Sequence, residues 1–103
     1  MPHVDSANGK ARGWIDPLPG NGDVAVFHGA YVLYGEKGKG FGTQAHAERL
    51  ERAKEWGHEY AVCTVVEHNK AQLRIMEKFG WTKLSEFFSE KEGHKVFIFG
   101  KVL

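Results

Sequence analysis

Along the chain, apolar residues fall into four β-like runs and two helix-like stripes, separated by glycine-rich or charged stretches. The run Val24-Ala25-Val26-Phe27-His28-Gly29-Ala30-Tyr31-Val32-Leu33-Tyr34 is β-rich with little alternation, which predicts a central strand covered on both faces. From Thr43 to Trp56 the spacing changes. Ala47, Leu50, Ala53 and Trp56 fall on one side and Glu48, Arg49, Glu51, Arg52 and Glu55 elsewhere, predicting an amphipathic helix that Gly57 stops. Glu48 and Arg52 stand four apart, the spacing of a surface ion pair.

Tyr60 to Val66 reads as a second strand, and Asn69 is suited to cap a helix running to Phe79 with Leu73, Ile75, Met76 and Phe79 turned inward and Gly80 at its end. Trp81 to Phe88 and Lys95 to Val102 read as strands joined by the polar hairpin stretch from Ser89 to His94. Strands alternating with helices imply right-handed crossovers. The predicted fold class is therefore α/β, a mixed sheet parallel at its centre with two crossover helices and a C-terminal antiparallel hairpin. Residues 1 to 23 are rich in Gly, Pro, Asn and Asp, so they are expected to form a partly ordered lead-in. Its one short strand would lie around Arg12 to Ile15, ended by Asp16-Pro17 and Pro19-Gly20-Asn21-Gly22, before a domain spanning 24 to 103.

At 103 residues the chain is one small domain, and its 42% apolar content is enough for a core without metal or disulfide staples. Fourteen basic against thirteen acidic residues leave a net charge of +1, which argues against a dedicated nucleic-acid binder, even with Lys37 and Lys39 close together. The lone Cys63, mid-strand, predicts a buried inert thiol in a reducing compartment. No apolar run reaches the roughly 18 residues of a membrane span, and Met1-Pro2-His3-Val4-Asp5 lacks the pattern of a signal peptide, so no membrane partner is expected and the cytoplasm is the expected location. The six histidines show no metal-ligand spacing, and no metal is expected.

The segment most informative about chemistry lies between the first strand and its helix, Lys37-Gly38-Lys39-Gly40-Phe41-Gly42. Glycines let backbone amides converge, and the helix adds unpaired N–H groups and its positive dipole end, which together suit a phosphate. A Walker A loop fails because Phe41 follows Gly40 where lysine is required, and a dinucleotide GxGxxG fails by one residue in its last spacing. The segment instead resembles the coenzyme A loop of the GNAT superfamily of N-acetyltransferases, Gln/Arg-x-x-Gly-x-Gly/Ala, with Lys37 at the first position. The resemblance extends to Asn69 after the next strand and to Lys78-Phe79-Gly80-Trp81 at the end of its helix, and it is nearest the branch that modifies ribosomal-protein N-termini.

That resemblance implies acetyl-CoA as cosubstrate, lying where two central parallel strands splay. Tyr31, Val32 and Leu33 would offer strand backbone to pantetheine, Lys37, Gly38, Lys39, Gly40, Phe41, Gly42 and Thr43 would cradle the pyrophosphate, and Asn69 would touch the pantetheine arm. A backbone N–H near Tyr31 to Leu33 would stabilise the oxyanion, a contribution of about 3 kcal/mol. The candidate general base is His28, since an ordinary histidine titrates near about 6.5, with Asp23 as the alternative. Where the family usually keeps a general-acid tyrosine, seven residues after the Asn, this chain has Met76, and Gln72 can donate a hydrogen bond but no proton. The implied function is acetyl transfer to an amine, on a protein. The alternative is a catalytically weak or inactive CoA-binding protein that acts by occupying a partner. Family members begin with a strand and two helices that wall the acceptor groove. The lead-in here is too short for them, so the groove is expected to be open or closed by a second copy through Phe87, Phe88, Phe97 and Phe99. Chains shortened in this way resemble those encoded by phages.

Overall fold

The computed structural model describes residues 3–103, with side chains from residue 7 onward, so Met1 and Pro2 of the leader expectation lie outside the described residues. Its elements are β1 (His3–Ser6), β2 (Ala11–Leu18), β3 (Asn21–Val32), α1 (Phe41–Glu55), β4 (Tyr60–Val66), α2 (Lys70–Lys78), β5 (Thr82–Ser89) and β6 (His94–Val102). They form one six-stranded sheet in the order β1-β2-β3-β4-β6-β5, in which β3 and β4 pair parallel and every other neighbour pairs antiparallel. The α/β class, the parallel centre and the C-terminal hairpin match the expectation.

The first twenty-three residues differ from it. In place of a lead-in with one short strand, they hold β1, β2 and the start of β3 in an antiparallel meander, with Ala7 and Ala11 buried under α1 beside Ala45. The turn signals were read correctly, but they join long strands: Pro19 and Gly20 sit in the tight turn between β2 and β3. No structural break separates residue 23 from residue 24, because β3 runs through both.

Both helices lie on one face of the sheet, as two right-handed crossovers in the same direction require. There Leu50 and Ala53 of α1 and Met76 of α2 pack on Ile15, Ala25, Phe27, Ala61, Cys63, Val65 and Phe99. The alternate residues, among them Trp14, Val26, His28, Val62 and Thr64, point to the other face, which no helix covers among the described residues. β3 is therefore central but covered on one face only. Among the hairpin aromatics, Phe99 is buried and Phe97 packs on the core, whereas Phe87 and Phe88 on the edge strand are exposed.

The buried stripe of α1 is Ala45, His46, Arg49, Leu50 and Ala53, while Trp56 stays exposed. Glu48 accepts the Ala7 N–H instead of pairing with Arg52, whose guanidinium lies over Trp56. His46 sits among Phe27, Phe79 and Trp81, and its Nε2 accepts a hydrogen bond from the Trp81 indole at 2.9 Å. Burial, then the nearby charges of Arg49 and Lys101, push its pKa down to about 3. An unfolded histidine takes up its proton near about 6.5, so between those two values the unfolded chain binds the extra proton and stability falls as pH falls. Acidifying from about pH 7 to about pH 5 is expected to cost roughly 2 kcal/mol through this residue alone. Urea midpoints of the wild type and His46→Leu check this: the difference between the two proteins should shift by that amount over the window, and parallel curves would contradict it.

Candidate active site

Two features of β3 open a cleft in the middle of the sheet. The first is a bulge: Arg12 pairs with Tyr31 but Trp14 pairs with His28, so β3 carries one more residue than β2 between those points. Gly29 takes φ +68 there, and a Cβ on it would stand 2.2 Å from Trp14 Cδ1, so both the backbone angle and the indole exclude a side chain. Bulges bend a strand and raise its twist. The second feature follows from the first. The parallel ladder between β3 and β4 ends at Phe27 with Cys63, after which β3 stays with β2 as far as Val32 and β4 stays with β6 as far as Val66. The two central strands diverge like a V.

The space between the arms is a cleft of about 740 Å³ that extends to the glycine loop and the first turns of both helices. Tyr31, Val32, Lys37, Gly38, Gly40, Phe41, Gly42, Thr43, Asn69 and Gln72 all line it, so the structure brings most of the residues singled out in the sequence to one place. Along β3 the backbone groups alternate in direction. Of Tyr31 and Val32, one therefore turns its N–H and C=O away from β2 into the gap. Leu33 does not serve this way: its N–H donates to Lys10 O at 3.0 Å and its carbonyl accepts from Glu36 N–H at 3.0 Å.

Gly40 is the N-cap of α1 with φ 82, a left-handed conformation that costs most residues about 1 to 2 kcal/mol, and no side chain caps the helix. The first α1 bond runs from Gln44 N–H to Gly40 O. The N–H groups of Phe41, Gly42 and Thr43 therefore face the cleft without helical acceptors, at the positive end of a 15-residue helix. Among the described residues the lining side chains carry five cations, Arg12, Lys37, Arg49, Arg74 and Lys78, against the carboxylate of Glu36. Lys39, expected to add charge to the loop, is not part of the lining; its Nζ donates to Glu36 at 3.2 Å, and Lys10 donates to the same carboxylate at 3.3 Å. These hydrogen bonds, that of Lys39 first, hold the Glu36 carboxyl below the usual carboxylate range.

Asn69 caps α2 through its side-chain oxygen, which accepts the Gln72 N–H at 3.2 Å, while the same residue lines the cleft. Asn69→Ala is expected to cost about 1 kcal/mol and Asn69→Asp a few tenths at most, measurable as a shift in urea midpoint. If both variants keep the wild-type midpoint, the cap carries no stability. Met76, at the position of the family's usual tyrosine, is fully buried in the core and does not line the cleft.

His28 lies one residue past the end of the β3–β4 ladder, on the open face of the sheet, and is not among the residues that line the cleft. Its Nε2–H donates to Asp16 Oδ2, and its ring stacks on Trp14 with the planes 16° apart. Asp16 is nearly buried while half of the His28 side chain is exposed. Holding the proton on Nε2 leaves the Nδ1 lone pair free to accept another. Asp23 is not brought to this place. It sits at the far end of β3, where its N–H donates to Asn21 and its carbonyl accepts from Glu59 N–H. Asp16 went unnoticed in the sequence because Asp-Pro reads as a turn. Arg74 and Lys78 carried a legible signal, an i,i+4 basic pair on the polar face of α2. Among the described residues no group of three His, Cys, Asp or Glu is placed to hold a metal ion, and no helix is long and apolar enough to cross a membrane.

A splayed parallel pair with an anion-binding helix start at its mouth defines an α/β protein whose cleft suits a phosphate-bearing ligand. The family model for the acetyltransferase (GNAT) family matches residues 2–81, and the chain belongs to that family. Similar solved structures include a protein assigned as a phosphinothricin N-acetyltransferase, at 25% identity and TM-score 0.80, with 94% of this chain and 66% of that one covered. A Salmonella typhimurium protein, assigned as an acetyltransferase and solved with acetyl-CoA, matches at 16% identity and TM-score 0.79, covering 91% of this chain and 58% of that one. The ribosomal-protein-alanine N-acetyltransferase of Brucella melitensis matches at 20% identity and TM-score 0.74, covering 90% and 60%. The chain thus spans 58 to 66% of the length of these three structures. A search of curated proteins gave no significant match.

Proposed function

We propose that the chain binds acetyl-CoA in the cleft and transfers its acetyl group to an amine, on a protein. The observation that carries this reading is the first turn of α1, whose free N–H groups meet the cleft where, among the described residues, five cations and the carboxylate of Glu36 line it. The N–H groups of Phe41, Gly42 and Thr43, with Lys37, would hold the pyrophosphate. Asn69 and the free backbone groups of Tyr31 or Val32 would hold the pantetheine arm.

In the transfer, the amine nitrogen attacks the thioester carbonyl carbon, the C–S bond breaks, and the thiolate departs. The amine's proton goes to Nδ1 of His28, which Asp16 orients and whose imidazolium Asp16 stabilises. His28 stands on the uncovered face of the sheet, so an acceptor would approach from that side while the CoA lies among the helix ends. The open face suits a protein chain end better than a small amine enclosed on all sides. With Met76 buried, the leaving thiolate receives no proton from that position, which slows the reaction without preventing it because a thiol of pKa about 8.5 leaves tolerably as an anion.

Incubation with acetyl-CoA and a peptide bearing a free N-terminus or lysine, with a free-thiol readout, tests the proposal. CoA release that depends on the peptide supports transfer. Saturable CoA binding without release points to a chain that keeps the cleft and acts by binding a partner, for which the exposed Phe87 and Phe88 on β5 offer an apolar edge to a second copy or a target.

A further inference from the structure

Arg49 occupies an unusual position. It lies on α1 two turns from the helix start, is 3% exposed, and lines the cleft. Its guanidinium rests over the Phe27 ring, 5.8 Å from the centroid, and against the β2 backbone, where a Cβ on Gly13 would stand 2.6 Å from Nη1. Phe27 and Cys63 are the last pair of the parallel ladder, and Gly13 lies opposite the Gly29–Ala30 bulge, so the charge sits at the closed end of the V. Among the described residues no carboxylate forms an ion pair with it, and its buried Nε has no hydrogen-bond partner. A buried cation left unpaired is strongly unfavourable, so a site built this way is complete only when an anion enters it.

Arg49 stands seven residues, about 10 Å along the helix axis, beyond Gly42, and its guanidinium is turned to Phe27 and Gly13 at the closed end of the V. If the cleft takes an acyl-CoA as proposed above, on which this inference rests, the group that arrives at Arg49 is the acyl end of the thioester. An acetyl group offers only a neutral carbonyl in the bound state and would leave the guanidinium dry and unpaired. A short carboxyacyl group offers a carboxylate that the planar fork can take in two parallel bonds. We propose that Arg49 is an acyl-recognition residue and that the cleft prefers CoA thioesters of short dicarboxylic acids, malonyl or succinyl, over acetyl-CoA.

Calorimetric titration of the full chain with acetyl-CoA, malonyl-CoA and succinyl-CoA tests this without relying on turnover. In the wild type one of the carboxyacyl thioesters should bind at least about tenfold tighter than acetyl-CoA, the ratio expected of one charge-assisted hydrogen bond. Arg49→Met, which fills the same space without charge and is expected to fold at least as well, should erase that ratio. Arg49→Lys, which keeps a charge but not the fork, should keep part of it. Equal affinities in the wild type overturn the proposal, as does a preference that survives Arg49→Met. If Arg49→Met leaves all affinities alone and lowers only acetyl turnover, Arg49 acts on the transition-state oxyanion and acyl recognition is overturned. Absence of binding by all three thioesters refutes the CoA cleft itself.

Discussion

Replacing Gly42 with glutamate is expected to abolish acetyl-CoA binding and to leave the protein as stable as before, or more so. Gly42 is the second residue of α1, in an ordinary helical conformation, and a Cβ there would meet Val32 Cγ2 at 3.4 Å and Ile75 Cδ1 at 3.6 Å, both normal contacts. The helix gains from losing a glycine, by about 0.5 to 1 kcal/mol, and gains again from an acidic side chain in a first turn that has none. The same carboxylate stands where the pyrophosphate would be held. Like charges brought together in that way cost several kcal/mol, which at about 1.4 kcal/mol per factor of ten is about a thousandfold or more in affinity. Calorimetry and urea unfolding of one sample separate the two effects. Retained affinity in a folded Gly42→Glu protein would show that the glycine loop is only a turn.

Removing the imidazole of His28 is expected to lower turnover by about 10² to 10⁴ with acetyl-CoA affinity unchanged. The ring lies on the face of the sheet away from the helix ends, so its loss should leave the cofactor's grip alone. The acid limb of the pH–rate profile, where a histidine base loses its free lone pair, should vanish in His28→Ala. Asp16→Asn keeps an acceptor for Nε2–H but loses the charge that steadies the imidazolium, so it too should lower kcat with little change in KM for acetyl-CoA. A His28→Ala protein with the wild-type profile would remove this residue as the base.

How far these sites were legible depended on whether the chemistry was local. The glycine loop, the α2 cap at Asn69 and strand β4 each sit within a few residues of their own signals, and Tyr60 to Val66 is found as read. The meander of β1 and β2 was not legible, because Ala7, Ala11 and Gly13 become core residues only through contact with α1 more than thirty residues away. The α1 stripe was misread for a related reason: periodicity counts apolar residues, while the buried positions include His46 and Arg49, each polar and each set by tertiary packing. The Asp16–His28 pair depends on the register of β2 against β3, which shifts between Pro17 and Leu18, where β3 carries residues 22–24 with no partner on β2. The site thus had one half written in sequence neighbours and the other half in strand register.

The central claim is that bare backbone N–H groups at the start of α1 hold the diphosphate of CoA inside the V of β3 and β4. An NMR titration of the isotope-labelled full chain with CoA observes those groups one by one. The account predicts saturable shifts concentrated on Phe41, Gly42 and Thr43, continuing to Tyr31, Val32 and Asn69. Amides that stay still at the helix start, or that move only on the uncovered face of the sheet, would contradict it.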